Sequence, residues 1–204
     1  MLVTAGPTRE HIDPVRFISN PSSGKMGFAM AEAAQQLGAG VTLIHGPVNI
    51  PHPDGIKSVE IVTARQLFEE VKKHASTDVV IMSAAVADFT PAEVHKQKVK
   101  KDKSSSELEL EPTADILSWL GRHKRNGQVL IGFAMETENL VKNARRKLNQ
   151  KKADWIVANS LSEKGSGFAV DTNSVLLLGK QAEQKISGSK KEVANKILKH
   201  IFEK

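Results

Sequence analysis

The stretch at 78–85, DVVIMSAA, constrains this 204-residue chain more than any other. Six of its eight positions are apolar, four of them consecutive, without the alternation that marks a strand with one wet face. A strand that reads this way is covered on both sides, which places it inside a parallel sheet with helices above and below. The rest of the chain fits that demand. Short apolar runs at 2–5, 41–44, 56–62, 129–133, 155–158 and 175–178 read as further strands. Between them, 24–37, 64–74, 114–123, 140–152 and 190–202 read as helices; the first carries Met26, Met30, Ala33 and Leu37 at helical spacing. Strands and helices in alternation predict an α/β fold, a Rossmann-like doubly wound, mostly parallel sheet with helices on both faces. The length suits one domain over 1–204, since chains up to roughly 250 residues still build around a single core, and no internal repeat is visible.

One segment breaks the rhythm. Residues 90–107 are polar and lysine-rich, contain Ser104, Ser105 and Ser106, and show no helical stripe. A charge run of this kind is commonly a solvated surface, but long loops in compact domains are uncommon and often serve as lids, so the segment is expected to be a mobile flap. The net charge of +6 is concentrated there and at 142–152. Such an excess suits nucleic acid or a small polyanion. Aromatic residues make up 4% of the chain, tyrosine is absent, and nowhere do basic and aromatic residues interleave, which argues against a nucleic-acid surface. No apolar run approaches the roughly 18 residues that span a membrane. The first residues lack the basic and apolar stretches of a signal peptide. With no cysteine there is neither a disulfide framework nor protein thiolate chemistry. A cytoplasmic, membrane-free protein is expected.

In open parallel sheets, ligands bind beyond the C-terminal ends of the strands, near helix N-termini. Four places qualify. At 4–9 (TAGPTR) and 22–27 (SSGKMG), small residues let backbone N–H groups approach an anion, and Ser22 or Ser23 can cap the helix. The spacing is neither that of a phosphate-binding loop nor Gly-x-Gly-x-x-Gly. At 83–88, small side chains leave room for a flat base or a sugar, with Asp88 at the rim or starting a turn. At 132–137, Phe133 can stack on a base or belong to the core. In the helix at 140–152, Leu140, Ala144 and Leu148 form the apolar stripe, and Lys147 and Lys151 fall on or beside it, whereas Arg145, Arg146 and Lys152 do not. Two cations edging a buried face suit an anion beneath them, and packed stems with solvated ammonium groups account for the pattern equally. The second strand ends in Ile44, His45, Gly46 and Pro47, with no acid to hold a ribose diol, which disfavours an NAD(P)-binding or regulatory Rossmann-like domain, the alternative the fold alone permits. The seven histidines are scattered without metal-ligand spacing, so no protein metal site is expected; a divalent ion would be Mg²⁺ held by ligand phosphates.

Taken in order, TAGPTRE at 4–10, DPVRFISN at 13–20, SSGKMG at 22–27, SAAVADF at 83–89, KVKK at 98–101 and GFAMET at 132–137 resemble phosphopantothenoylcysteine synthetase along nearly the whole chain. The resemblance implies a ligase of coenzyme A biosynthesis. In it, CTP with Mg²⁺ activates 4′-phosphopantothenate as an acyl-cytidylate, which cysteine attacks. It implies that Asn20 handles the acyl intermediate, that Lys98 on the flap stabilises charge at the α-phosphate, and that Arg16 reaches the neighbouring site of a homodimer. It further implies that Met82, Ser83, Ala84, Ala85, Asp88, Ala114, Asp115, Ile116, Leu117, Phe133, Lys147 and Lys151 bind the nucleotide. In many bacteria of this family the domain follows a flavin-dependent decarboxylase on one polypeptide.

Overall fold

The computed structural model describes residues 1–101, 107–160 and 170–203. Its centre is an eight-stranded sheet. In chain order its strands are β1 (Leu2–Ala5), β4 (Thr42–His45), β5 (Lys57–Glu60), β6 (Val79–Met82), β9 (Val129–Glu136), β10 (Trp155–Ser160), β11 (Thr172–Gly179) and β12 (Glu183–Ser189). Two short hairpins, β2 (Arg9–His11) with β3 (Phe17–Ser19) and β7 (Phe89–Pro91) with β8 (Leu110–Pro112), stand outside it. The helices are α1 (Lys25–Gln36), α2 (Ala64–Lys73), α3 (Ile116–His123), α4 (Leu140–Gln150) and α5 (Lys190–Phe202). None is long and apolar enough to cross a membrane.

The sheet runs β12-β11-β10-β9-β6-β1-β4-β5, parallel from β10 to β5 and antiparallel where β11 and β12 extend the other edge. Alternate side chains on each strand serve opposite faces. Val3, Ile81, Ile131 and Val157 join α1 and α5 in one core, while Leu2, Val80, Leu130 and Ile156 join α2, α3 and α4 in the other. All eight of these side chains are fully or almost fully buried. This is the two-sided cover that the unbroken apolar run demands.

The expected parallel α/β sheet is therefore present, with boundaries set by packing. β6 stops at Met82 rather than running to Ala85. Past that point the Ala84 N–H turns to Thr4 Oγ1 (3.2 Å) and the Ala85 N–H to the Gly6 carbonyl (2.8 Å) instead of a strand ladder. β9 runs on to Glu136 because β10 keeps pairing with it to Ser160. β12 has no sequence signature: only Ile186 of its seven residues is buried, as befits a polar edge strand. The lysine-rich segment begins inside the β7–β8 ladder and ends just before β8, so Thr90 and Pro91 are strand rather than loop. Ser104, Ser105 and Ser106 lie outside the described residues.

α1 crosses β1 at unusually close range. A Cβ on Gly27 would sit 2.5 Å from Ala5 Cβ and 2.9 Å from the Thr4 carbonyl oxygen. Gly27→Ala is expected to lower the unfolding free energy by about 1–3 kcal/mol, the usual cost of overpacking, in urea titrations. Gly40→Ala, whose Cβ would meet nothing within 4 Å, is expected to be near neutral. Equal effects at the two sites would contradict this packing.

Candidate active site

The chain leaves β1 toward β4 and β5, then returns to the other side of β1 to form β6, β9 and β10. Strand order therefore reverses between β1 and β6, the point where crossovers diverge and open a crevice. A cleft of about 910 Å³ occupies it. One wall is the 82–88 segment after β6, with Asp88 at the exposed rim. The turn from Asn20 into α1 adjoins it, and α3, the end of β9 and α4 complete the lining.

Beyond one parallel bridge between Pro7 and Ala85, the 83–88 segment has no strand to hold it, and polar side chains do the rest. Thr4 and Thr8 are fully buried. Thr4 Oγ1 accepts from the Ala84 N–H and Thr8 Oγ1 from the Ala87 N–H at 3.0 Å. The Asn20 amide nitrogen donates to the carbonyls of Ala85 (3.2 Å) and Val86 (2.9 Å). Both partners are carbonyl oxygens, so only the NH₂ end of the amide fits them, and Oδ1 is not engaged by them. On the far edge, Thr113 Oγ1 donates to the Ala87 carbonyl at 2.6 Å, and the Thr113 N–H to that of Asp88 at 2.9 Å.

The entry to α1 differs from the expected serine cap. Gly24 is the N-cap, in the left-handed region at φ 79°, and has no side chain with which to cap the helix; the Ser22 hydroxyl accepts from the Gly24 N–H at 3.3 Å. Its first turn carries no acidic residue. N–H groups at such a helix start, facing a cleft, suit an anion.

α4 presents the lysines as its periodicity predicts. Ala144 and Leu148 are buried, Lys147 and Lys151 half-buried, and Arg145, Arg146 and Lys152 exposed. Lys147 and Lys151 line the cleft. Each has an acidic tether. Lys147 Nζ lies 3.9 Å from Glu136 Oε1, and Lys151 donates to Asp115. Asp115 is also the N-cap of α3, accepting from the Ser118 N–H at 2.9 Å. Burial pushes its carboxyl up, but the Lys151 hydrogen bond, the Ser118 N–H and the charges of Lys151 and Arg122 outweigh that and leave it below the usual range. Lys25 and Lys190 line the cleft as well. Burial, then the charge of Lys25, lowers the Lys190 pKa, with Asp171 opposing. Lys190, Thr113, Asn159 and Asn173 line the cleft without having been singled out in the sequence. They come from four separate segments that only the folded sheet brings together.

Of the residues anticipated from sequence, Asn20, Met82, Ser83, Ala84, Ala85, Asp88, Ala114, Asp115, Ile116, Leu117, Phe133, Lys147 and Lys151 all line this cleft. Arg16 and Lys98 do not. Lys98 is exposed, and the chain beside it is drawn to the β2–β3 hairpin. There the fully buried Asp13 accepts from the N–H groups of Val15 and Arg16 (both 2.9 Å), from the Arg16 guanidinium, and from the Val99 N–H at 3.2 Å. Arg16 in turn donates to the Val99 carbonyl at 3.0 Å, and the His95 N–H to that of Ile12 at 2.9 Å. The cleft lining carries two carboxylates, Asp88 and Asp115, among the described residues. Outside it, the fold assembles His45, His52 and Glu60, a grouping that their sequence spacing conceals.

The Arg16 guanidinium, with the backbone N–H groups beside it, holds the Asp13 carboxyl far below the usual carboxylate range. A depressed pKa stabilises the fold fully above the unfolded value near pH 4, and that stabilisation fades as pH falls toward the folded value. Asp13→Asn is expected to be less stable than the parent chain near pH 7, with the gap in urea unfolding narrowing at about pH 3. A gap of constant size would contradict the assignment.

Similarity to known proteins agrees with this geometry. The family model of the DNA/pantothenate metabolism flavoprotein C-terminal domain matches residues 1–204. The coenzyme A biosynthesis bifunctional protein CoaBC of Bacillus subtilis is 46% identical over 205 residues, covering 98% of this chain and 50% of that protein. The chain thus spans about half the length of the curated relatives it matches. The crystal structure of the C-terminal domain of a CoaBC protein superposes with a TM-score of 0.81 at 46% identity, covering 98% of this chain and 92% of that one. The DNA/pantothenate metabolism flavoprotein from Streptococcus pneumoniae gives 0.82 at 28% identity, covering 98% and 96%.

Proposed function

The chain belongs to the DNA/pantothenate metabolism flavoprotein C-terminal domain family, and on that premise we propose that it joins 4′-phosphopantothenate to cysteine, using CTP to activate the carboxylate. The observation that carries the reading is the cleft at the strand-order reversal, with a wall of small residues facing the tethered cations Lys147 and Lys151. A wall without bulk suits a base and ribose, and Phe133 supplies a ring beside them. The four lysines of the cleft and the glycine-capped start of α1 suit a triphosphate and the phosphate of the acyl substrate.

In the first step a carboxylate oxygen attacks the α-phosphorus. The bond to the β,γ-diphosphate breaks, and pyrophosphate leaves with the electron pair. In the second, the cysteine nitrogen attacks the acyl carbon of the mixed anhydride, CMP departs with the electrons of the broken C–O bond, and the amine proton passes to solvent. The protein's part is alignment and charge neutralisation. Because the Asn20 NH₂ group is held by two carbonyls, its proposed contribution is Oδ1, an acceptor for the incoming ammonium or amine. Mg²⁺ is proposed to enter on the triphosphate, since two carboxylates, one already paired with Lys151, make a poor cage for it.

Lys98 acts in this proposal only after the 90–107 flap moves on its β7–β8 stem, with release of Val99 from Asp13 and Arg16 as the first event. The choice of CTP over ATP rests on the KVKK motif at 98–101. A homodimer in which Arg16 serves the neighbouring site, and a flavin-dependent decarboxylase that consumes the product, complete the proposal.

The test is an assay with 4′-phosphopantothenate, cysteine and Mg²⁺, offering each nucleoside triphosphate in turn. Pyrophosphate release is expected to depend on phosphopantothenate and to favour CTP. Lys151→Ala is expected to raise the KM for CTP by about tenfold or more, the equivalent of one lost charge-assisted hydrogen bond. No release, or release indifferent to the nucleotide, would overturn the reading.

A further inference from the structure

A second concavity lies on the β4–β5 edge of the sheet and shares no lining residue with the cleft. His45 ends β4 and Glu60 ends β5, and the two are direct partners in the parallel register. Paired residues of neighbouring strands project to the same face, so the ladder itself sets an imidazole beside a carboxylate. The 46–56 connection brings a second imidazole onto them: the rings of His45 and His52 are 4.8 Å apart, centroid to centroid, and nearly perpendicular. His52 Nε2 lies 3.5 Å from Glu60 Oε1. One ligand atom from each of the three falls within 4.8 Å of the others.

The state of His45 gives this cluster its meaning. The residue is 3% exposed. Its Nδ1 is 2.9 Å from the Gly46 carbonyl, an acceptor, so Nδ1 is the donor there and, in the neutral ring, Nε2 is the nitrogen with the lone pair. That Nε2 is one of two buried side-chain atoms with no hydrogen-bond partner among the described residues. A buried imidazole nitrogen without a partner, its other nitrogen fixed by a carbonyl, has the arrangement in which histidine binds a metal.

We propose that His45, His52 and Glu60 form a binding site for a first-row divalent transition cation of the Zn²⁺ class. Two imidazoles and one carboxylate are borderline donors that suit Zn²⁺ or its neighbours, whereas Mg²⁺ and Ca²⁺ take oxygen. Bonds of about 2.0–2.1 Å in a tetrahedral arrangement set ligand atoms roughly 3.3 Å apart, close to the present His52–Glu60 separation. His45 is fixed by burial. The side chains of His52 and Glu60, 47% and 73% exposed, are free to close the remaining distance. Glu69 and Glu70 line the same concavity and offset Arg65 there. The fourth position opens to solvent. The ion would also tie the 46–52 segment to β5. Val48, within that segment, packs where a Cβ on Gly6 or Gly24 would strike it at 2.8 or 2.7 Å, so metal binding would brace the glycine turn that begins the cleft wall.

The experiment uses untagged chain stripped with a chelator and then titrated with Zn²⁺ against a chromogenic chelator, and with Co²⁺ followed by its visible absorption. One equivalent is expected to bind. His52→Ala and Glu60→Gln, at exposed positions, are each expected to weaken binding by about 10–100-fold or more, since loss of even a contact supporting a ligand does as much. His200→Ala, remote from the cluster, is expected to bind as the parent chain does. Absence of stoichiometric binding by the parent chain, or undiminished binding in either cluster variant, would overturn the proposal. Neither readout depends on the ligase reaction.

Discussion

The cleft depends on how one unpaired segment is held. At the end of β6 the chain leaves the sheet at the reversal of strand order, where residues 83–88 keep a single parallel bridge, Ala85 with Pro7. Two fully buried threonine hydroxyls and one asparagine amide take the place of a ladder. Each meets a backbone group of the segment, and a buried backbone group left unpaired costs about 1–3 kcal/mol. The consequence is a wall made of backbone and methyl groups, which leaves space for a ligand, rather than a continued strand, which would fill it.

Around that wall the charges are organised before any ligand arrives. Lys147 and Lys151 are set against Glu136 and Asp115, and Asp115 also caps α3. Such tethering fixes side chains that would otherwise lose considerable rotamer freedom on meeting an anion. The price is a carboxylate that an incoming phosphate must displace or share. Asp13 plays the corresponding part outside the cleft. It gathers the tip of the β2–β3 hairpin and the Val99 backbone around one buried carboxylate, which holds the chain beside Lys98 at the hairpin rather than at the cleft in this conformation.

Periodicity reveals the sheet well and its irregular parts poorly. The unbroken apolar run at 78–85 demanded two covering layers, and the alternation of Val80 and Ile81 between two cores meets that demand. Burial along α4 follows the stripe drawn from helical spacing, including the half-buried Lys147 and Lys151. β12 was invisible because an edge strand with a single buried side chain has no apolar pattern. The β7–β8 stem was hidden because its two strands lie some twenty residues apart in sequence and carry three exposed residues in β8. The motif series located most of the cleft lining, but nothing in it shows that Asn20 turns its NH₂ toward carbonyls, that Lys98 stands apart, or that His45 meets Glu60. These are facts of register and of local hydrogen bonding, which composition and spacing do not encode.

The central claim is that the crevice between β1 and β6 is the nucleotide site. Backbone amide shifts of isotope-labelled chain, followed while CTP and Mg²⁺ are added, test it most directly. The account predicts saturable shifts at residues 82–88, 113–117 and 147–151, with His45, His52 and Glu60 little affected. Shifts centred on the β4–β5 edge, or spread evenly over exposed lysines, would contradict it.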